Sequence, residues 1–107
     1  MFKGGMAGMM KKAQKMQENV QQAQAEIKQL NVTGTAGGGV VSIRINGEHQ
    51  ATDIQISSDI MDDKDILEDL ILTAINDANQ QIADATTVKM KNATGGMKLP
   101  GGASLPF

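Results

Sequence analysis

The apolar residues between Met6 and Leu30 recur at intervals of three and four. Met6, Met9, Ala13, Met16, Val20, Ala23, Ile27 and Leu30 are separated by 3, 4, 3, 4, 3, 4 and 3 positions. That is the a/d spacing of a helix that lies along another helix. About 25 residues at 1.5 Å each make a rod of roughly 37 Å. Met9, Ala13, Met16, Val20, Ala23 and Ile27 are the expected packing seam. Small Ala and flexible Met allow close but loosely specified contact. A monomer with this seam uncovered would expose a long apolar strip, which is unusual in a soluble chain. The seam therefore predicts either a homodimer or packing on the chain's own second helix, and the sequence leaves both open.

Asn31 and Gly34 are expected to end the rod. Val32–Ala36 follows, and Gly37-Gly38-Gly39 separates it from the run Val40-Val41-Ser42-Ile43-Arg44-Ile45. In that run, Val41, Ile43 and Ile45 share one face of a strand. Asn46-Gly47 is a hairpin signal. A two-residue turn there would pair Val41 with Thr52 and place Ile54 and Ile56, on a strand from about His49 to Ser57, on the same face as Val41, Ile43 and Ile45. Arg44, His49 and Asp53 fall on the other face. Asp62 or Asp63 caps a second helix, whose first turns are rich in acids that suit the positive end of the helix dipole. Its expected buried stripe is Leu67, Leu70, Ile71, Ala74, Ile75, Ala78, Ile82 and Ala85. Residues 92–107 are too rich in Gly and Pro for regular structure. The resulting expectation is an α+β chain, α-β-β-β-α, with a small antiparallel sheet and two long helices. Residues 1–5 are read as a flexible N-terminus, 6–91 as one dimerising domain and 92–107 as a flexible tail.

Several classes of function find no support in the residues. The chain has one His and no Cys among 107 residues, so the usual zinc spacings are missing and no metal is expected. The acidic run from Asp59 to Asp69 lacks the ligand spacing and turn glycine of a calcium loop. His49 beside a hairpin turn has no nucleophile arranged around it. Gly37-Gly38-Gly39 lacks the Gly-Lys-Ser/Thr ending of a phosphate loop and precedes a strand rather than a helix. Neither an enzyme nor a cofactor is expected. The opening residues lack the apolar core of a signal peptide, and no run is long enough to span a membrane.

Charge is distributed unevenly. The formal net charge is −2. Residues 1–30 carry five lysines against Glu18 and Glu26. Residues 48–84 carry ten acids against Lys64 alone. Residues 85–107 carry Lys89, Lys91 and Lys98 with no acid. Such a chain can present a basic surface despite its negative total. On the heptad register Lys11, Lys12 and Lys15 fall away from the seam. Lysines so placed can meet the phosphates of a duplex without reading its sequence, although lysines on an exposed helix are ordinarily just solvated. With a single Arg, backbone contacts should outweigh base contacts. With no Tyr or Trp, stacking on single strands has little support.

Six segments, in this order and spacing, resemble the YbaB/EbfC family of bacterial nucleoid-associated proteins. They are Gly8-Met9-Met10-Lys11-Lys12-Ala13-Gln14-Lys15-Met16-Gln17, Gly34-Thr35-Ala36-Gly37-Gly38-Gly39-Val40-Val41, Leu67-Glu68-Asp69-Leu70-Ile71, Ala74-Ile75-Asn76-Asp77-Ala78, Thr94-Gly95-Gly96 and Leu105-Pro106-Phe107. The resemblance implies a three-stranded sheet and two long helices paired into a tweezer-like homodimer. It implies a protein of the bacterial cytoplasm and nucleoid that binds double-stranded DNA and alters its conformation. Carried over by position, DNA contact falls on Lys11, Lys12 and Lys15 of the first helix and on Lys89 and Lys91 near the end of the second, with Lys3 and Lys98 adding contacts from the chain ends. A second reading is an adaptor that engages a DNA-handling protein partner. It draws on the acidic middle, the Met-rich seam and the apolar ending Leu105-Pro106-Phe107.

Overall fold

The computed structural model describes residues 2–95, with side chains from residue 7 onward. The elements run α1 (Phe2–Lys28), β1 (Asn31–Ala36), β2 (Val41–Asn46), β3 (Ala51–Ile56), a short 3-10 turn (Ser58–Ile60) and α2 (Lys64–Ala93). The strands form one antiparallel sheet in the order β1-β2-β3, so the chain is an α+β protein of the expected α-β-β-β-α order. Of the tail expected over 92–107, residues 96–107 lie outside the described residues.

α2 covers one face of the sheet, packing on β1 and β2. Its buried line is Ala74, Ala78, Ile82, Thr86 and Met90, each four residues after the last. Val41, Ile43 and Ile45 of β2 and Ala36 of β1 meet this line in the main core, with Leu67, Leu70, Ile71 and Ile75 half-buried around it. The expected stripe thus holds over its first four turns. It then continues through Thr86 and Met90, which a pattern search for apolar residues passes over at Thr86. The opposite face of the sheet, with Arg44 across from Asp53, is exposed.

Gly34 does not end a helix. α1 stops at Lys28, and Gly34 lies within β1 opposite Ile43. Its role is close approach. A Cβ there would collide with the carbonyl oxygen of Ala74 and stand 2.5 Å from the backbone nitrogen of Ala78. Gly34 with Ala74 and Ala78 lets the helix axis settle onto the strand. The triple glycine does make the turn: Gly37, Gly38 and Gly39 all have positive φ, at 62°, 73° and 96°, where L side chains are disfavoured.

The β2–β3 register differs from the two-residue turn expected at Asn46-Gly47. Val41 pairs with Ile56 and Ile43 with Ile54, and the pairing slips between Arg44 and Ile45. The turn is longer because the Asn46 side chain organises it. Its Oδ1 accepts from the backbone N–H of Glu48 at 2.9 Å and of Gln50 at 3.0 Å, while His49 takes the left-handed conformation at φ 65°. The register moves by four residues, an even number, so Ile54 and Ile56 keep the face assigned to them.

α2 begins where its carboxylates suggest. Asp63 is the N-cap, accepting from the backbone N–H of Ile66 at 3.2 Å. Gly34→Ala should destabilise the fold by about 3 kcal/mol, the upper end of ordinary overpacking, because the obstacle is backbone. Urea denaturation monitored by circular dichroism measures it, and a loss within ±0.5 kcal/mol, the range of a neutral surface change, would refute the close-approach account.

Candidate nucleic-acid interface

The two halves of α1 have different surroundings. In the second half, Ala23 and Ile27 are buried against Met90 of α2, with Val20, Leu30 and Ala93 half-buried around them. In the first half, every residue from 7 to 15 is exposed, and Met9 and Met10 are 72% and 64% accessible. The expected seam is therefore covered only from Val20 onward, and by the chain's own second helix. Met9 and Ala13 are exposed and Met16 is half-exposed.

At this contact Asn19, Gln22, Ala23 and Glu26 of α1 and Lys89, Asn92 and Ala93 of α2 line one groove. The base of α1 is held on its other side by the β2–β3 turn. The N–H of Gly47 donates to the carbonyl of Leu30 at 2.9 Å, and a Cβ on Gly47 would collide with the carbonyl of Ile27. Beyond Val20, α1 extends away from these supports.

Lys11, Lys12 and Lys15 stand exposed on the unsupported half. Lys91 is exposed near the end of α2. Lys89 is half-buried and lines a groove of about 420 Å³ with Asn19, Gln22 and Glu26 of α1 and Asn92 of α2. The side chain of Lys3 and the whole of Lys98 lie outside what is described. Among the described residues the one ion pair is Lys64–Glu68, at 3.5 Å on the exposed start of α2; Lys11, Lys12, Lys15 and Lys28 of α1 have no carboxylate partner among them. The acids Asp59, Asp62, Asp63, Asp65, Glu68 and Asp69 gather at the opposite end of α2. Asp65 and Lys89 are 24 helical residues apart, about 36 Å, several times the screening length at physiological salt. These six acids therefore do not cancel the basic end.

Two polar side chains of α2 have a role that periodicity did not reveal. Asp77 accepts from the N–H of Thr35 at 2.9 Å, and Gln81 donates to the carbonyl of Thr33 at 2.9 Å and to Asp77 at 3.3 Å. They close the outer edge of β1. The outer edge of β3 has no equivalent among the described residues. Beside β3 lies a largely apolar groove of about 330 Å³ lined by Ile43, Ala51, Ile54, Ile71 and Ile75 together with Thr52 and Asp53. Ile54 in this lining is 50% exposed.

Comparison with known proteins bears on this arrangement. The family model described as the YbaB/EbfC DNA-binding family matches residues 2–97. A protein of Polynucleobacter asymbioticus named nucleoid-associated protein is 49% identical over 107 residues, covering the whole of both chains. One of Xanthomonas axonopodis pv. citri with the same descriptive name is 47% identical over 106 residues, 99% of this chain and 100% of that one. A crystal structure of an uncharacterized protein from Helicobacter pylori superposes with a TM-score of 0.59 at 26% identity, covering 68% of this chain and 87% of the other.

Ala23→Glu would put a charge into the α1–α2 contact, where burial without a partner is costly. Amide hydrogen exchange should then accelerate along α1, while protection of β2 and of Ala74–Ile82 persists. Equal loss of protection everywhere would show that the arm and the sheet core are one cooperative unit.

Proposed function

The chain belongs to the YbaB/EbfC DNA-binding family, and from that premise we propose that it acts as a homodimer that grips duplex DNA with its α1 arms. The observation that carries this reading is the uncovered half of α1, where Lys11, Lys12 and Lys15 stand exposed and unpaired. Each lysine that meets a phosphate releases condensed counterions, which makes binding favourable and salt-sensitive. Lys91, and Lys89 in its groove, extend the basic surface around the base of the arm, and Lys3 and Lys98 add charge from the chain ends. Contacts of this kind position a duplex and carry little sequence information.

The dimer supplies the second arm. The open β3 edge and its apolar groove are the surface that a second copy would cover. An open edge with apolar lining invites strand pairing, and the capped edge of β1 does not offer one. Two arms on one rigid body hold two stretches of backbone at a fixed relation, and DNA that satisfies both must bend or be bridged. The name nucleoid-associated protein carried by the relatives supports a place on the bacterial nucleoid, and so in the cytoplasm. Nothing in this mechanism calls for catalysis.

Fluorescence anisotropy of a labelled duplex at about 50 and 200 mM salt tests the DNA contact. Binding should weaken by an order of magnitude or more across that range if several phosphates are met. The triple variant Lys11→Ala, Lys12→Ala, Lys15→Ala should lose affinity for all duplexes and show a shallower salt slope. Unchanged binding would remove α1 as the grip. Failure of the native chain to bind at low salt, with a stoichiometric protein partner recovered, would favour the adaptor reading. For the dimer, light scattering at micromolar concentration should give twice the chain mass, falling to the single mass for Ile54→Lys. A monomeric native chain would contradict the two-armed grip.

A further inference from the structure

We propose that one line of α1, Gln14, Gln17, Gln21 and Gln24 ending in Lys28, enters a groove of the duplex and touches base edges. This rests on the DNA-binding reading above and names which helix face meets the bases. The spacing of these five residues is 3, 4, 3 and 4, so they lie along one side of the helix, next to the apolar seam. All five are exposed. Met10, 64% accessible, stands one turn ahead on the same line.

Solvation alone explains the line poorly. An exposed helix face gains most from alternating carboxylates and lysines three or four apart, and α2 uses that device at Lys64–Glu68. α1 has no ion pair among the described residues and places amides at four successive positions of the line instead. An amide donates and accepts at one tip, the combination that matches the edge of adenine, and it carries no charge to be repelled or to hold counterions. An apolar tip such as Met10 suits a thymine methyl.

The surroundings favour a duplex as the occupant. Lys11 precedes the line by one turn and Lys28 closes it, so cations bracket the amides where phosphates would flank a groove. Against Lys11, Lys12, Lys15 and Lys28, α1 carries only Glu18 and Glu26. Glu26 faces the groove shared with Lys89, away from the amide line. Near the base, Gln21, Gln24 and Lys28 line a cleft of about 410 Å³ with Gly47 and Glu48. Glu48 there sets the limit of DNA approach, since a carboxylate repels the backbone. From Gln14 to Gln24 the line is about 15 Å long on a rod about 10–12 Å across, a width that the major groove of B-form DNA admits.

The lysines and the amides should therefore fail differently. Native protein and two variants, Lys11/Lys12/Lys15→Ala and Gln14/Gln17/Gln21/Gln24→Ala, are titrated by anisotropy against a panel of duplexes with different sequences at several salt concentrations. Alanine favours helix, and circular dichroism confirms that each variant is folded. The native chain should bind the best duplex at least about tenfold tighter than the worst. The amide variant should lose that spread and keep the native salt slope. The lysine variant should keep the spread and lose slope. An amide variant that preserves the spread overturns the proposal, as does a native chain that binds every duplex within twofold. A native chain that binds no duplex overturns the DNA-binding reading along with it.

Discussion

The fold depends on how closely α2 can approach β1. Gly34, Ala74 and Ala78 remove side-chain bulk from that crossing, so backbone lies almost on backbone. The gain is dispersion and burial along the whole length of α2, with Ile82 and Val41 almost completely buried. In a chain without Trp or Tyr, no large ring is available to fill a wider gap. Close approach also brings Asp77 and Gln81 within reach of the β1 backbone, where they satisfy one edge of the sheet. One small-residue contact thus sets the core, the handling of the sheet edges and the direction in which α2 leaves the sheet.

That direction also places the arm. α2 outruns the sheet, and its last turns give α1 its support at Met90 and Ala93. The arm is anchored over Val20–Leu30 and free before it. Charge follows much the same division: six of the twelve carboxylates gather around the start of α2, while Lys11, Lys12, Lys15, Lys28, Lys89 and Lys91 lie along α1 and at the end of α2. An acidic chain can thereby offer an anion-binding end, because the two regions are separated by more than a screening length. Uncovered apolar surface is divided too: Met9 and Met10 lie on the arm, Ile54 on the open strand and Leu72 on α2.

Elements governed by local rules were legible in the residues. The heptad gave α1, the glycine triplet gave the β1–β2 turn, Asp63 gave the α2 cap, and alternation gave the inward faces of β2 and β3. Features decided by tertiary contact were not. Gly34 reads as a helix stop in isolation and becomes a packing position only once Ala74 and Ala78 lie above it. Asn46-Gly47 signals a tight turn, yet the Asn46 side chain bonds two N–H groups and stretches the loop to Gln50. The seam of α1 is continuous in sequence, but α2 ends after half of it is covered. Asp77 and Gln81 look like ordinary polar helix residues until the edge of β1 is beside them. The lysines of the candidate interface could be listed from sequence. That Lys89 lies half-buried between the helices while Lys11, Lys12 and Lys15 stand clear of the body needed the fold.

The central claim is that DNA lies along the free half of α1. Lysine acetylation footprinting by mass spectrometry, with and without a saturating duplex, tests it most directly because each lysine reports separately. Lys11, Lys12 and Lys15 should be protected by DNA, and Lys64, set among the acids of α2, should react equally in both samples. Protection of Lys64 with the three α1 lysines left reactive would place the nucleic acid elsewhere and contradict the account.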